Sequence, residues 1–267
     1  MDLQAAAELI AKHALAILVG ITVLLVGLTA VLWRLIESRA PALITRLPRY
    51  LGIHALVSFT VALASIGCFF EIADEIGIDE DLALFDQALS DALSRHLGPG
   101  TLAAFGWLTH LGDAFVLIGI GAAVVLLLLA RSERLLAAAF VVITAGGACL
   151  NRLLKALFAR TRPVHDHGYA IADGWSFPSG HSSGSLLVYG LIGYLVVRHT
   201  PRVWHIPAAT SCMLLLVLVG SSRVLLQVHY FSDVLAGWAV AAAWLSLSVA
   251  GLEAVRRSRS SAVASTR

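Results

Sequence analysis

The chain has 267 residues, of which 58% are hydrophobic and only 13% charged, and its mean hydropathy is +0.84. That make-up lies outside the range of soluble globular domains and belongs in a bilayer. The formal net charge is only +2, with arginines scattered between apolar runs, which excludes a nucleic-acid-binding patch.

A helix needs about 20 apolar residues to cross the hydrocarbon core. Stretches near 14–33, 51–70, 114–130, 135–154, 181–197, 206–222 and 234–252 qualify. The expected fold class is therefore all-α, a polytopic membrane helical bundle of about seven transmembrane helices. The first stretch is a retained span rather than a signal peptide, because its apolar run is too long and Asp2 and Glu8 precede it. Cys68, Cys149 and Cys212 each sit inside an apolar run without C-x-x-C spacing, as small core hydrophobes do, and form neither a zinc site nor a disulfide framework.

Arginine placement fixes the orientation, since cytoplasmic loops carry the excess of basic residues. Arg34, Arg39, Arg46 and Arg49 put the first loop inside. Arg131 and Arg134 do so for the third, Arg198 and Arg202 for the fifth, and Arg256, Arg257 and Arg259 for the tail. The N-terminus is then outside and the C-terminus inside.

Between the second and third spans the chain is acidic, with Glu71, Asp74, Glu75, Asp79, Glu80, Asp81, Asp86 and Asp91 against Arg95. Leu82, Phe85, Leu89 and Leu93 recur there at helical spacing, which predicts an amphipathic helix lying on the outer membrane surface as a cap. A second short helix over 101–111, carrying Trp107, follows Gly98-Pro99-Gly100. The last residues, rich in Ser, Ala and Arg, read as a disordered tail. Three segments result: 1–109 with two spans and the acidic loop, a core over 110–252, and the tail over 253–267.

Polar residues interrupt this apolar chain at three places. The first is Lys155-x6-Arg162-Pro163, where a spacing of seven returns to one helical face and proline turns Arg162 out of the helix, so that two cations converge on one anion. The second is Pro178-Ser179-Gly180-His181, with proline in a helix's first turn and free N–H groups at a helix start facing a phosphate. The third is Ser222-Arg223-x5-His229-x3-Asp233. Histidine and carboxylate four apart share a helical face, so Asp233 holds one ring nitrogen of His229 and leaves the other free. His165, Asp166 and His167 read as a solvated loop, and His54, His110 and Asp113 as hydrogen-bonding or capping residues near span ends.

Together these segments resemble the membrane type 2 phosphatidic acid phosphatase family, which shares its phosphate site with bacterial acid phosphatases and vanadium haloperoxidases. All eleven positions of its three-part signature are met in order. The resemblance implies phosphate binding by Lys155, Arg162, Ser179, Gly180 and Arg223, a nucleophile at His229, an orienting carboxylate at Asp233 and a general acid at His181. Pro163, Pro178 and Ser222 give structural support. It implies no metal and no cofactor. The partners are the bilayer and a lipid phosphate or diphosphate, such as undecaprenyl diphosphate, phosphatidylglycerophosphate, phosphatidate or the phosphate of lipid A, met at the outer face of a bacterial plasma membrane. Two alternatives are a phosphotransferase of the same chemistry and a transporter. The latter leaves the ordered signature unexplained, and its charges belong mid-span rather than at span ends.

Overall fold

Apolar runs of span length become helices because a backbone without water partners must satisfy its N–H and C=O groups internally. The computed structural model describes residues 2–46, 50–77, 80–164 and 167–265, at 39–46, 50–55 and 259–265 as backbone only. Arg49, Asp79, His165 and Asp166 lie outside the described residues, as do the side chains of Arg39, Arg46, His54 and Arg259. The α-helices are α1 (Leu3–Lys12), α2 (Ala14–Arg46), α3 (Tyr50–Asp74), α4 (Asp81–His96), α5 (Pro99–Leu108), α6 (Ala114–Ala130), α7 (Arg134–Phe158), α8 (Gly180–His199), α9 (His205–Leu225) and α10 (Phe231–Ser265). Among the described residues there is no strand.

Six of these helices are long and apolar enough to cross a membrane, and Pro99–Gly112 with Ala114–Ala130 form a seventh, bent pair. The chain is thus a multi-pass membrane bundle. Its core joins α6, α7, α8 and α10 through Leu117, Phe140, Ile143, Leu187, Leu191 and Ala241. Gly147 permits the close α7–α8 approach, for a Cβ there would lie 2.2 Å from Leu187 Cδ1.

The two ends of the bundle differ in character. At one end Glu133 meets His199 at 2.9 Å, Arg198 meets Glu253 at 3.6 Å and His205 meets Glu37 at 3.1 Å. The other end gathers α1, α4, α5 and the segments joining α7 to α8 and α9 to α10, held in part by Glu8 with Arg95 at 2.8 Å.

Two local expectations are corrected, and one helix is new. The acidic amphipathic helix, α4, does not lie on the bilayer: Leu89, Ala92 and Leu93 pack on Ala7 and Ala11 of α1 and on Leu225 of α9. Its apolar face is used up inside the protein. The short α1 forming the other side of that contact was not read from the sequence. Finally, the expected disordered tail from 253 continues α10 as helix to Ser265, where Glu253 accepts from Tyr194 and pairs with Arg256 at 2.8 Å.

Candidate active site

Helix α7 ends at Phe158, where Ala159 takes a left-handed conformation at φ 44°. Arg162 is therefore beyond the helix, and its seven-residue spacing from Lys155 does not place the two on one helical face as expected. The following loop brings them together instead: Lys155 Nζ donates to Trp175 O at 2.5 Å and Ser176 O at 3.0 Å, and Arg162 Nη2 donates to Trp175 O at 3.1 Å. Arg162 also donates to the carbonyls of Gly174 (2.9 Å), Asp173 (3.1 Å) and Val228 (2.6 Å). Its remaining contact, Nη1 to His229 Nε2 at 3.1 Å, is the donor that a phosphoryl oxygen beside that nitrogen would take.

Ser179, fully buried, is the N-cap of α8, with Oγ accepting from Ser182 N at 3.4 Å and Ser182 Oγ at 3.0 Å. Pro178 precedes the cap after a cis peptide bond rather than occupying the first helical turn. Ser179 N donates to Asp233 O at 2.9 Å, tying this start to that of α10. The approach requires Gly237, since a Cβ there would lie 2.7 Å from Ser179 O. Gly180 and His181 open α8, and Asn151 of α7 steadies the turn by donating to Ser183 Oγ at 3.1 Å.

Residues 226–230 form the turn between α9 and α10, and His229 lies in it, just before the helix. Asp233, in the first turn of α10, accepts from Tyr230 N at 2.9 Å and from His229 Nδ1 at 3.2 Å through the same oxygen, half of a capping box. Because Arg162 donates to Nε2, the ring is neutral with its proton on Nδ1 and a lone pair on Nε2. Burial, then the charges of Arg162, Arg223 and Lys155, hold the His229 imidazole well below its ordinary range and preserve that lone pair as pH falls. Buried Arg223 donates to Thr109 Oγ1 at 2.7 Å, while its Nε has no partner among the described residues, as fits a group built to hold an anion. Buried Ser222 donates to Val219 O at 2.6 Å and fixes the last turn of α9, and buried Pro163 follows Arg162 in the irregular segment after α7.

The fold also recruits residues that the sequence reading passed over. Arg160 donates to Asp233 Oδ1 at 2.8 Å, to Ser232 Oγ at 2.7 Å and to Asp86 Oδ2 at 2.9 Å, and its guanidinium lies 4.3 Å from the centroid of the Tyr230 ring. Asp86 of α4 is 1% exposed and accepts from both N and Oγ of Ser232. Burial pushes its carboxyl above the usual range against the hydrogen bond from Ser232 and the charge of Arg160. A signal existed for Asp86: it lies four residues after Leu82 and three before Leu89, on the apolar stripe where a lone carboxylate needs a partner.

Asp113, expected to hydrogen-bond or to cap, does the first and makes no side-chain cap. It accepts from His181 Nε2 at 2.8 Å and from His110 Nδ1 at 2.6 Å. Of the solvated-loop residues, His167 bonds to Leu226 O at 2.8 Å, tying its loop to the end of α9.

The three sequence segments thus meet at one end of the bundle. Residues 135–257 match the model of the PAP2 superfamily. Phosphatidylglycerophosphatase B of Bacillus subtilis (strain 168) is 30% identical over 166 residues, 58% of this chain and 77% of that protein. A lipid A 1-phosphatase of Rhizobium johnstonii is 36% identical over 110 residues, 38% of this chain, which spans 41% of that relative. A crystal structure of a transmembrane PAP2 type phosphatidylglycerolphosphate phosphatase from Bacillus subtilis superposes with a TM-score of 0.65 at 27% identity, covering 73% of this chain and 96% of that one. By signature, fold and kinship, the chain belongs to the PAP2 superfamily.

Proposed function

We propose that this protein hydrolyses a lipid phosphate or diphosphate at the outer face of a bacterial plasma membrane, through a phosphohistidine and without a metal. The observation that carries the reading is the posture of His229: Nδ1 rests on Asp233 and Nε2 meets Arg162, with Arg223 and Lys155 near enough to act on its charge. In the first step the Nε2 lone pair attacks phosphorus, the bond to the lipid oxygen breaks, and that oxygen takes a proton from His181. Lys155, Arg162, Arg223 and the backbone at Ser179 and Gly180 hold the equatorial oxygens. Water then attacks the phosphohistidine, giving its proton to His181 as the P–N bond breaks. Asp233 keeps the reactive tautomer and offsets the charge on the phosphorylated ring.

A lipid is favoured over a soluble ester by a groove of about 750 Å³ between α6, α7 and α8, lined by Leu117, Val125, Phe140 and Leu187 and reaching Gly180 and His181. Phosphate release from purified lipid phosphates and diphosphates in detergent tests the reading. It also separates hydrolysis from transfer to a second lipid, which leaves no free phosphate. Among the described residues no group of three or more His, Cys, Asp or Glu is placed to hold a metal ion, and on the metal-free reading chelator is expected to leave the rate unchanged and vanadate to inhibit competitively. Loss of activity in chelator, restored by magnesium, would overturn the metal-free mechanism.

The outward orientation is supported by the separation of acidic α4 and the site from the arginine-rich opposite end. A C-terminal reporter active only in the cytoplasm should be active, and a fusion at residue 90 should behave as external. The reverse pattern would put the site on the inner face.

A further inference from the structure

The groove has one charged side chain that the chemistry above leaves unused. Arg152 lines it beside Asn151, Gly180 and His181. It stands on α7, three residues before Lys155, hence about 4.5 Å below it along the helix axis. The side chain is exposed on the flank of the bundle, within a span, and among the described residues it has no hydrogen bond or ion pair. An arginine inside a span is expensive to hold against hydrocarbon, and one kept without a protein partner marks a place where an anion comes to it.

The groove side of the phosphate is the leaving-group side, because His181 lines the groove. Lys155, Arg162 and Arg223 already serve the transferred phosphoryl group. A fourth cation in the same groove as His181 has no use for a neutral leaving group such as diacylglycerol. It suits a leaving group that carries its own phosphate. Resting on the lipid-phosphatase reading, we infer that Arg152 is a specificity residue. It recognises a second phosphate in the leaving group, either the proximal phosphate of a lipid diphosphate or a phosphodiester a short polyol away, and selects such lipids over those with one phosphate.

The test uses the full chain in detergent and measures kcat/KM by phosphate release from phosphatidylglycerophosphate, undecaprenyl diphosphate and phosphatidate. Arg152→Gln is expected to lower the value for at least one two-phosphate lipid about tenfold or more, the loss of a charge-assisted contact, while phosphatidate changes less than about twofold. Which of the two falls identifies diphosphate or phosphodiester as the anion. Arg152→Lys should restore part of the loss, since it keeps the charge without the planar fork. Equal losses on all three lipids would make Arg152 a structural anchor, and no loss on any would make it a side chain reaching for the membrane surface; either overturns the inference while the lipid reading stands. A wild-type chain that cleaves an aryl phosphate but none of the lipids overturns the lipid reading, and the inference with it.

Discussion

His229→Ala is expected to abolish turnover of every substrate, and His181→Ala to fail in a different way. His229 lies 3.1 Å from Arg162 Nη1 and 3.2 Å from Asp233, a posture that no other histidine shares among the described residues, so its loss removes the covalent step itself. General acid catalysis contributes about 10²–10⁴-fold, and matters most for a poor leaving group such as a lipid alkoxide. In His181→Ala a lipid phosphate should therefore slow by about that factor. An aryl phosphate should still phosphorylate His229, because its oxide leaves without a proton, and hydrolysis should then stall without the base. The measurement is a burst of aryl alcohol equal to the enzyme present, with acid-labile phosphate retained on the protein. Normal vanadate binding without any burst would show that the roles of the two histidines are wrongly divided.

Arg160→Met should cost more stability than any single substitution at the phosphate-binding cations. The guanidinium sits between Asp86 and Asp233, whose side chains are both 0% exposed, and its removal strips both carboxylates of their shared counter-charge. Breaking a buried ionic contact in this way costs about 3–5 kcal/mol, far beyond the worth of an exposed pair. The loss should appear as a large drop in the unfolding midpoint in detergent and, in the fraction that stays folded, as a fall in kcat through misplacement of Asp233 and His229. Asp86→Asn should be milder, because the amide oxygen still accepts from Ser232. The variant Arg160→Met would refute the account by unfolding at the wild-type midpoint with the wild-type rate. Equal damage from both substitutions would place the weight on Asp86 rather than on the shared cation.

Features that are local in the chain were legible from the order of residues alone. Span-length apolar runs became helices because the bilayer allows the backbone little else, and 114–130 was delimited to the residue as α6. The His229–Asp233 pair was legible because it is closed within four residues, although His229 lies in the turn ahead of α10 rather than on a shared helical face. Contacts between distant segments come from the packing of the fold. Arg160 and Asp86 are 74 positions apart, His181 and Asp113 are 68, and Arg223 and Thr109 are 114. Partners at such separations leave no trace in local spacing: the apolar stripe that carries Asp86 reads as a membrane-surface helix, and the fold supplies Arg160 and Ser232 to that carboxylate. The convergence of Lys155 and Arg162 was foreseen on a helical face but is achieved by shared backbone carbonyls of the loop at 173–176. The physical reason is the same throughout: short-range spacing fixes which atoms one segment can offer, whereas packing between segments decides which of those atoms meet.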